Sequence, residues 1–167
     1  MEFTHKEFES ETFKREDFSN TSLQNTSFID CTFNECNFSN TIIANTKFQN
    51  CSFIKCKILG VNFSNCSKLF LRINFKSCNI SLSYFNNLDL KNTLFINSRI
   101  NTCEFKTTNL TKANFEHSDL TNTIFVESNL SFASFRSAIN YSIDPEKNNM
   151  AKATFSLPEV IGLLDKH

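Results

Sequence analysis

The sequence predicts an all-β solenoid closed at its C-terminal end by a short α-helical cap. Three observations predict it. A large apolar residue recurs at every fifth position, a second five-residue grid of small residues lies two positions earlier, and the beat gives way to a tail with helix signals.

The first grid starts at Phe3 and runs by fives to Phe63. It slips by two residues near Ser64 to Leu69, resumes at Phe70 and runs by fives to Phe135. Its 27 centres are 18 Phe, 5 Leu and 4 Ile, and of the phenylalanines only Phe132 and Phe155 are read as lying off it. The second grid holds small residues from Thr21 onward, among them Thr26, Cys31, Thr41, Thr46, Ser83 and Ala113. A helix face needs a period of 3.6 and a strand a period of 2, so a period of five matches neither. It does fit a short extended piece that points two side chains inward, at relative positions −2 and 0, and then turns. Asn and Asp recur just before the centre (Asn37, Asn62, Asn114, Asp119), and Asn recurs two after it (Asn40, Asn45, Asn87). Asn suits turns because it tolerates strained backbone and hydrogen-bonds locally.

The runs Thr-Asn-Leu-Thr-Lys (108–112), Ala-Asn-Phe-Glu-His (113–117) and Ser-Asp-Leu-Thr-Asn (118–122) resemble the pentapeptide-repeat signature, Ala-(Asp/Asn)-Leu-X-X. The resemblance spans residues 1–138 and implies a right-handed quadrilateral β-helix with four pentapeptides, or 20 residues, per coil. The spacing supports the coil length on its own. Allowing for the slip, one 20-residue column reads Phe13, Phe33, Phe53, Phe75, Phe95, Phe115, Phe135. Another places Phe70 between Phe48 and Leu90. At four repeats per coil the 27 centres make about seven coils.

Seven cysteines invite a metal or disulfide reading, but Cys31, Cys36, Cys51, Cys56, Cys78 and Cys103 all sit on the small inward grid. Cys66 continues that grid just before the slip. Their Cys-x4-Cys spacing is not that of a structural zinc site, and Cys packs well as a small buried hydrophobe. Cys36, Cys56 and Cys78 are expected to stack in one column. Free thiols suggest a reducing compartment. No signal peptide or membrane-length apolar run is visible, so a cytoplasmic location is expected.

Net charge is zero but unevenly spread. Residues 1–35 carry −5, residues 36–115 carry +8 and residues 116–167 carry −3. The basic middle reads either as a patch for an acidic partner or as a solvated surface, and the second is favoured. Outward apolar residues are few; Tyr84, Leu71 and Phe132 are among them. The slip segment Lys68-Leu69-Phe70-Leu71-Arg72 is a small bulge with apolar character.

A stack of coils needs capped ends. At the start, Lys6, Glu11 and Glu16 are too large or charged for the small grid, so the first coil should be polar-rimmed. The tail, residues 139–167, is expected to form the capping or dimerisation segment with short helices. Asp144-Pro145-Glu146 reads as a helix start. Ser156 and Glu159 match a capping box, with Val160, Ile161, Leu163 and Leu164 forming an apolar helix face. The stretches Asn140–Pro145, Phe155–Glu159 and Gly162–Leu164 resemble the tails of bacterial Qnr-type (quinolone-resistance) and microcin-immunity pentapeptide proteins. That resemblance implies a homodimer through the C-terminal segment.

No catalytic set is present. His5, His117 and His167 do not converge, and no phosphate loop, cofactor motif or metal-ligand spacing occurs. The expectation is a non-enzymatic protein-interaction scaffold with an unknown protein partner, no direct nucleic-acid binding and no membrane contact. The alternative, implied by the Qnr-type resemblance, is a DNA mimic that interacts with DNA gyrase or topoisomerase and protects it from quinolones or a related toxin.

Overall fold

The computed structural model describes residues 2–164. The chain is an all-β solenoid of about seven turns with almost no helix. All strand pairs are parallel and join residues one coil apart: Phe8 lies beside Phe28, Phe13 beside Phe33, and Phe105 beside Phe125. Each strand is two to four residues long, because five residues must both cross one side of the coil and turn.

The turns explain the Asn-rich +2 positions. Residues there have positive φ, from His5 at 59° through Asn25, Asn45 and Asn92 to Lys152 at 59°. L-residues avoid this left-handed region, and Asn tolerates it better than most. At many corners the residue after the turn donates its N–H to the preceding centre, as Thr26 does to Leu23 at 3.0 Å and Thr93 to Leu90 at 3.1 Å. The Asn or Asp before the centre accepts from the backbone two residues on. Asn37 Oδ1 takes the Ser39 N–H at 3.1 Å, and Asn109 Oδ1 takes that of Thr111 at 3.1 Å. These local bonds hold the chain in its corner without help from a neighbouring coil.

The core is a set of ring stacks. In the Phe13 column, centroids lie 5.2 Å apart for Phe13–Phe33, 5.0 Å for Phe53–Phe75 and 4.9 Å for Phe95–Phe115. The coil rise of about 4.8 Å sets this distance. It exceeds the thickness of a ring, so the rings stack offset, as their quadrupoles favour. Rings in neighbouring columns meet edge to face: Phe75 and Phe85 stand at 86° with centroids 5.8 Å apart. Phe33, Phe53, Phe75, Phe95, Phe115 and Phe135 are all fully buried in this stack. At the N-terminal end Phe8 and Phe13 are only half-buried, and Lys6, Glu11 and Glu16 are exposed.

The slip differs from the sequence expectation in position and phase. Ser67 N–H bonds Thr46 C=O at 2.8 Å, the same 21-residue step that joins Lys47 to Thr26. Cys51 N–H bonds Arg72 C=O, a step of 21 where Asp30 to Gln49 takes 19. The two extra residues therefore lie between Ser67 and Arg72. Within them Phe70 turns outward, 65% exposed at φ 56°, and Leu71 is buried at 5% exposure. The assignments of Phe70 as an inward centre and Leu71 as outward are reversed. Counting back by fives from Phe75 carries the regular phase into a segment that has looped out of it.

The tail also differs. The ladder runs on past Ala138: Ser134–Phe135 pairs with Thr154–Phe155, and Phe155 stacks on Phe135 at 5.2 Å and 4°. Phe155 thus belongs to the Phe13 column. Residues 144–147 form a turn, not a helix start. Among the described residues the tail has no α-helix, only a 3-10 helix over Glu159–Leu163. Ser156 does not cap it; its Oγ accepts the Ser137 N–H at 3.0 Å instead. A capping box needs an α-helical first turn, but Pro158 occupies the N-cap and cannot place an acceptor side chain over the next N–H groups.

Candidate interaction surfaces

The small inward residues are more than space-fillers. Many of the Thr, Ser and Cys residues there donate to the carbonyl of a centre 23 residues earlier, or 25 earlier across the slip. Thr26 bonds Phe3 at 2.6 Å, Thr46 bonds Leu23 at 2.8 Å and Thr108 bonds Phe85 at 2.7 Å. The thiols do the same: Cys36 to Phe13 at 3.5 Å, Cys56 to Phe33 at 3.3 Å and Cys78 to Phe53 at 3.2 Å. Sequence reasoning missed this role, although the preference for Thr, Ser and Cys over Ala on that grid was its signal. All seven cysteines are free and buried. Burial pushes the thiols of Cys51, Cys66 and Cys103 up to about 12, so they stay protonated and unreactive at neutral pH.

Among the described residues no three His, Cys, Asp or Glu side chains are grouped to hold a metal ion. His5 meets Asn25 at 3.1 Å in an exposed corner pair, and His117 occupies another corner. His167 lies outside the described residues. No helix among the described residues is long and apolar enough to cross a membrane.

The basic residues of the middle coils do not share one side. Lys47 stands on the Phe8 column, Lys76 on the Phe13 column, Lys57 and Arg99 on the Phe18 column, and Lys106 on the Leu23 column. Lys55 and Lys112 sit at corners. The sequence-level excess of +8 is therefore spread around the rod.

Two features break the regular surface. One is the projection at the slip. Leu69 is 62% exposed beside the exposed Phe70, with Lys68 and Arg72 flanking them and Lys47 Nζ 5.7 Å from the Phe70 ring centre. The other is the tail. Leu163 packs against the core, Glu159 and Val160 are half-buried, and Leu157, Ile161 and Leu164 face outward. Gly162 lets this segment close on the last coil: a Cβ there would lie 2.2 Å from the Tyr141 carbonyl oxygen. Tyr141 is buried against Phe135 and Phe155, and burial pushes its hydroxyl up to about 12.

A parallel solenoid with an aromatic core and a 20-residue coil is the architecture of a repeat protein. The family models for a pentapeptide repeat region and for pentapeptide repeats match residues 26–102 and 103–139, which together make up more than half of the chain, and the chain belongs to the pentapeptide-repeat family. Its fold is similar to that of a trypsin-treated variant of QnrB1, a plasmid-mediated fluoroquinolone resistance protein. The TM-score is 0.70 at 16% identity, over 98% of this chain and 89% of that one. A match of lower score, TM-score 0.30 at 15% identity over 92% and 84% of the two chains, is HetL from the cyanobacterium Nostoc sp. strain PCC 7120, a pentapeptide-repeat protein involved in heterocyst differentiation regulation. No curated protein sequence matches.

Proposed function

We propose that this chain is a non-enzymatic scaffold that binds a protein partner, with the Leu69–Phe70 projection as its principal contact. The carrying observation is the projection itself: two large apolar side chains, adjacent in the chain and held in solvent, rimmed by Lys47, Lys68 and Arg72, where the rod leaves its 20-residue register. Exposed aromatic and aliphatic anchors with a basic rim suit a partner that offers an apolar pocket edged with acids. The test is affinity capture from a bacterial lysate with wild-type protein and with a Leu69→Asp/Phe70→Asp variant shown to remain folded. The reading expects a partner that is captured by the first and lost with the second. Identical captured sets would refute it.

A second reading is action on DNA gyrase, in the manner of a Qnr-type protein. The fold shared with a fluoroquinolone resistance protein supports it. Charge weighs against direct mimicry of DNA. A rod of seven coils at about 4.8 Å each would match a DNA segment bearing roughly 20 phosphates, whereas this chain has a net charge of zero. Supercoiling and cleavage by gyrase, followed with and without a fluoroquinolone while the protein is titrated, decide this. Neither inhibition nor protection at any concentration removes the gyrase reading.

The same proposal takes the coil as right-handed and four-sided, which the four inward columns and 20-residue register support. It takes the chain as cytoplasmic, which seven unpaired thiols support. It also takes the outward Leu157, Ile161 and Leu164 as a homodimer contact. If wild type and Ile161→Asp both run as monomers in solution, the dimer is wrong.

A further inference from the structure

We propose that the rod holds an extended, acidic segment of a partner protein along one edge, from Phe70 up to Phe132. The inference rests on the scaffold reading, which supplies Phe70, and adds the chemistry and conformation of what is bound.

Most bases are spread around the rod, but the corner that closes the Phe8 side of each coil gathers several. Corner residues there stack one per coil. The Asn92 N–H bonds Thr111 C=O at 2.9 Å, that of Lys112 bonds Ser131 C=O at 2.9 Å, and that of Phe132 bonds Ala151 C=O at 2.8 Å. Phe70 projects from the coil below Asn92, because the strands that follow the two corners pair through Phe75 and Phe95. Three coil steps, roughly 14 Å along the axis, therefore separate Phe70 from Phe132. Leu94, 39% exposed, follows Asn92 at the surface between them. Lys91 and Lys112 stand in the same interval, Lys47, Lys68 and Arg72 flank its lower end, and Lys152 flanks its upper end. From Lys47 upward, this edge and the outward positions of the Phe8 column carry one acid among the described residues, Asp89.

Both rings sit where a ring is disfavoured. Phe70 and Phe132 have φ of 56° and 60°, the left-handed corner conformation that Asn92 takes between them at 61°. Each ring lies under an ammonium, with Lys47 Nζ 5.7 Å from one centroid and Lys152 Nζ 5.2 Å from the other. Both rings are exposed, so they add little to the core. Backbone strain kept at exposed positions, twice on one edge, points to contact rather than to folding.

The occupant's chemistry follows. Two apolar anchors about 14 Å apart fit side chains four residues apart in an extended chain, at about 3.4 Å per residue. The lower anchor enters the groove of about 440 Å³ beside Phe70, between Asn50, Arg72 and Asp89. The residues between the anchors face Lys91 and Lys112, so they are Asp or Glu. An extended backbone also leaves N–H and C=O groups free for the exposed Asp89 and Asn92 side chains, which a helix would not. Single-stranded nucleic acid fits less well. One face of each ring is taken by a lysine, and a phosphate chain following this edge would meet Asp89.

The test is fluorescence anisotropy of dye-tagged peptides titrated with the full-length protein at low salt. The probe is Glu-Phe-Asp-Glu-Asp-Phe-Glu, capped at both ends, with its two Phe four residues apart. Its control, Glu-Asp-Phe-Glu-Phe-Asp-Glu, has the same composition with the two Phe two residues apart. The probe should bind with a Kd of ~1 mM or tighter. It should bind at least about fivefold tighter than the control, which can seat one anchor only. Phe132→Asn, which suits the corner and is checked for folding by circular dichroism, should remove that advantage. Lys91→Gln/Lys112→Gln should weaken both peptides at least about fivefold, and Lys57→Gln/Arg99→Gln, on another side, should weaken neither. The inference is overturned if the two peptides bind alike, if Phe132→Asn has no effect, if the two double variants act alike, or if oligothymidylate of the same charge binds more tightly than the probe. A partner captured from lysate through Leu69 and Phe70 but indifferent to Phe132→Asn would leave the scaffold reading standing and refute this one.

Discussion

The phase of the chain through the slip makes a sharp prediction, because two phenylalanines five residues apart should respond oppositely. Phe75 is fully buried. It stacks on Phe53 at 5.0 Å and Phe95 at 5.1 Å, and it meets Phe63 and Phe85 edge-on at 5.7 and 5.8 Å. Truncation to Ala removes the transfer energy of the ring and leaves a cavity, together about 3–5 kcal/mol. The backbone on both sides is held in the ladder, with Phe53 and Phe95 as register partners, so the cavity cannot collapse and the upper half of that range is expected. Phe70 is 65% exposed, and its main contact is the Lys47 ammonium. An exposed cation–π contact is worth about 0.5–1 kcal/mol, so Phe70→Ala should cost no more than that. Phe70→Asn should be neutral or stabilising, since Asn fits the positive φ at that site better than a bulky ring. Urea unfolding followed by far-ultraviolet circular dichroism reads the difference. With a slope of about 2 kcal/mol per molar, Phe75→Ala should lower the midpoint by roughly 2 M and the Phe70 variants by less than about 0.5 M. If Phe70→Ala costs as much as Phe75→Ala, the looped phase of residues 68–71 is wrong.

Three further outcomes are expected. Thr46→Val keeps the volume but loses the bond to the Leu23 carbonyl, and should cost about 1 kcal/mol in the same assay, because that carbonyl still accepts from Thr26. The buried thiols make stability fall at high pH. Their folded values near 12 lie above the ordinary value near 9, so the folded state holds protons that the unfolded state releases. This contribution is complete below pH 9 and is lost as pH climbs toward 12, and a chain with Cys51 and Cys103 both changed to Thr should show a shallower decline. Gly162→Ala should push the 3-10 segment off Tyr141 and speed limited proteolysis after residue 155 without moving the main unfolding transition.

What could be read in advance follows the repeat. A 20-residue coil repeats its own environment, so each column of like residues is a separate vote for the same register, and Phe33, Phe53 and Phe95 are unambiguous. The Asn corners were readable for the same reason, since one backbone geometry recurs at every +2 position. Four things were not. At 68–71 the chain leaves the register, and periodicity says nothing about residues that do not obey it, so Phe70 and Leu71 were exchanged. In the tail, Pro145 occupies a centre and hides the continuing beat, which resumes at Met150 and Phe155. The pattern Ser156…Glu159 has the spacing of a helix cap, but spacing alone does not show that Pro158 and Gly162 leave room for only one 3-10 turn. The donor role of Thr46 or Cys56 was hidden because it joins residues 23 apart in sequence that only stacking brings together.

The same economy limits where this protein can carry a function. Of every five residues, positions −2 and 0 are buried in the core, and +2 is committed to the corner conformation. Only −1 and +1 face outward with freedom to vary, and many −1 residues are used in local turns, as Asn37 and Asn109 are. Regular coils therefore offer a sparse surface, and the basic residues on it are dispersed over all four sides. A partner needs a contiguous contact of several hundred Å² per side, and single outward side chains separated by about 4.8 Å steps of polar neighbours supply little of it. The places where the chain breaks its own rule are different. The 68–71 loop puts two apolar side chains together in solvent. Substitution scanning of the outward positions should thus find most regular-coil sites silent, including Lys57, Arg99 and Lys106, with loss of binding concentrated at Leu69 and Phe70. Binding lost at dispersed regular-coil lysines instead would mean that the long-range field, rather than this break, selects the partner.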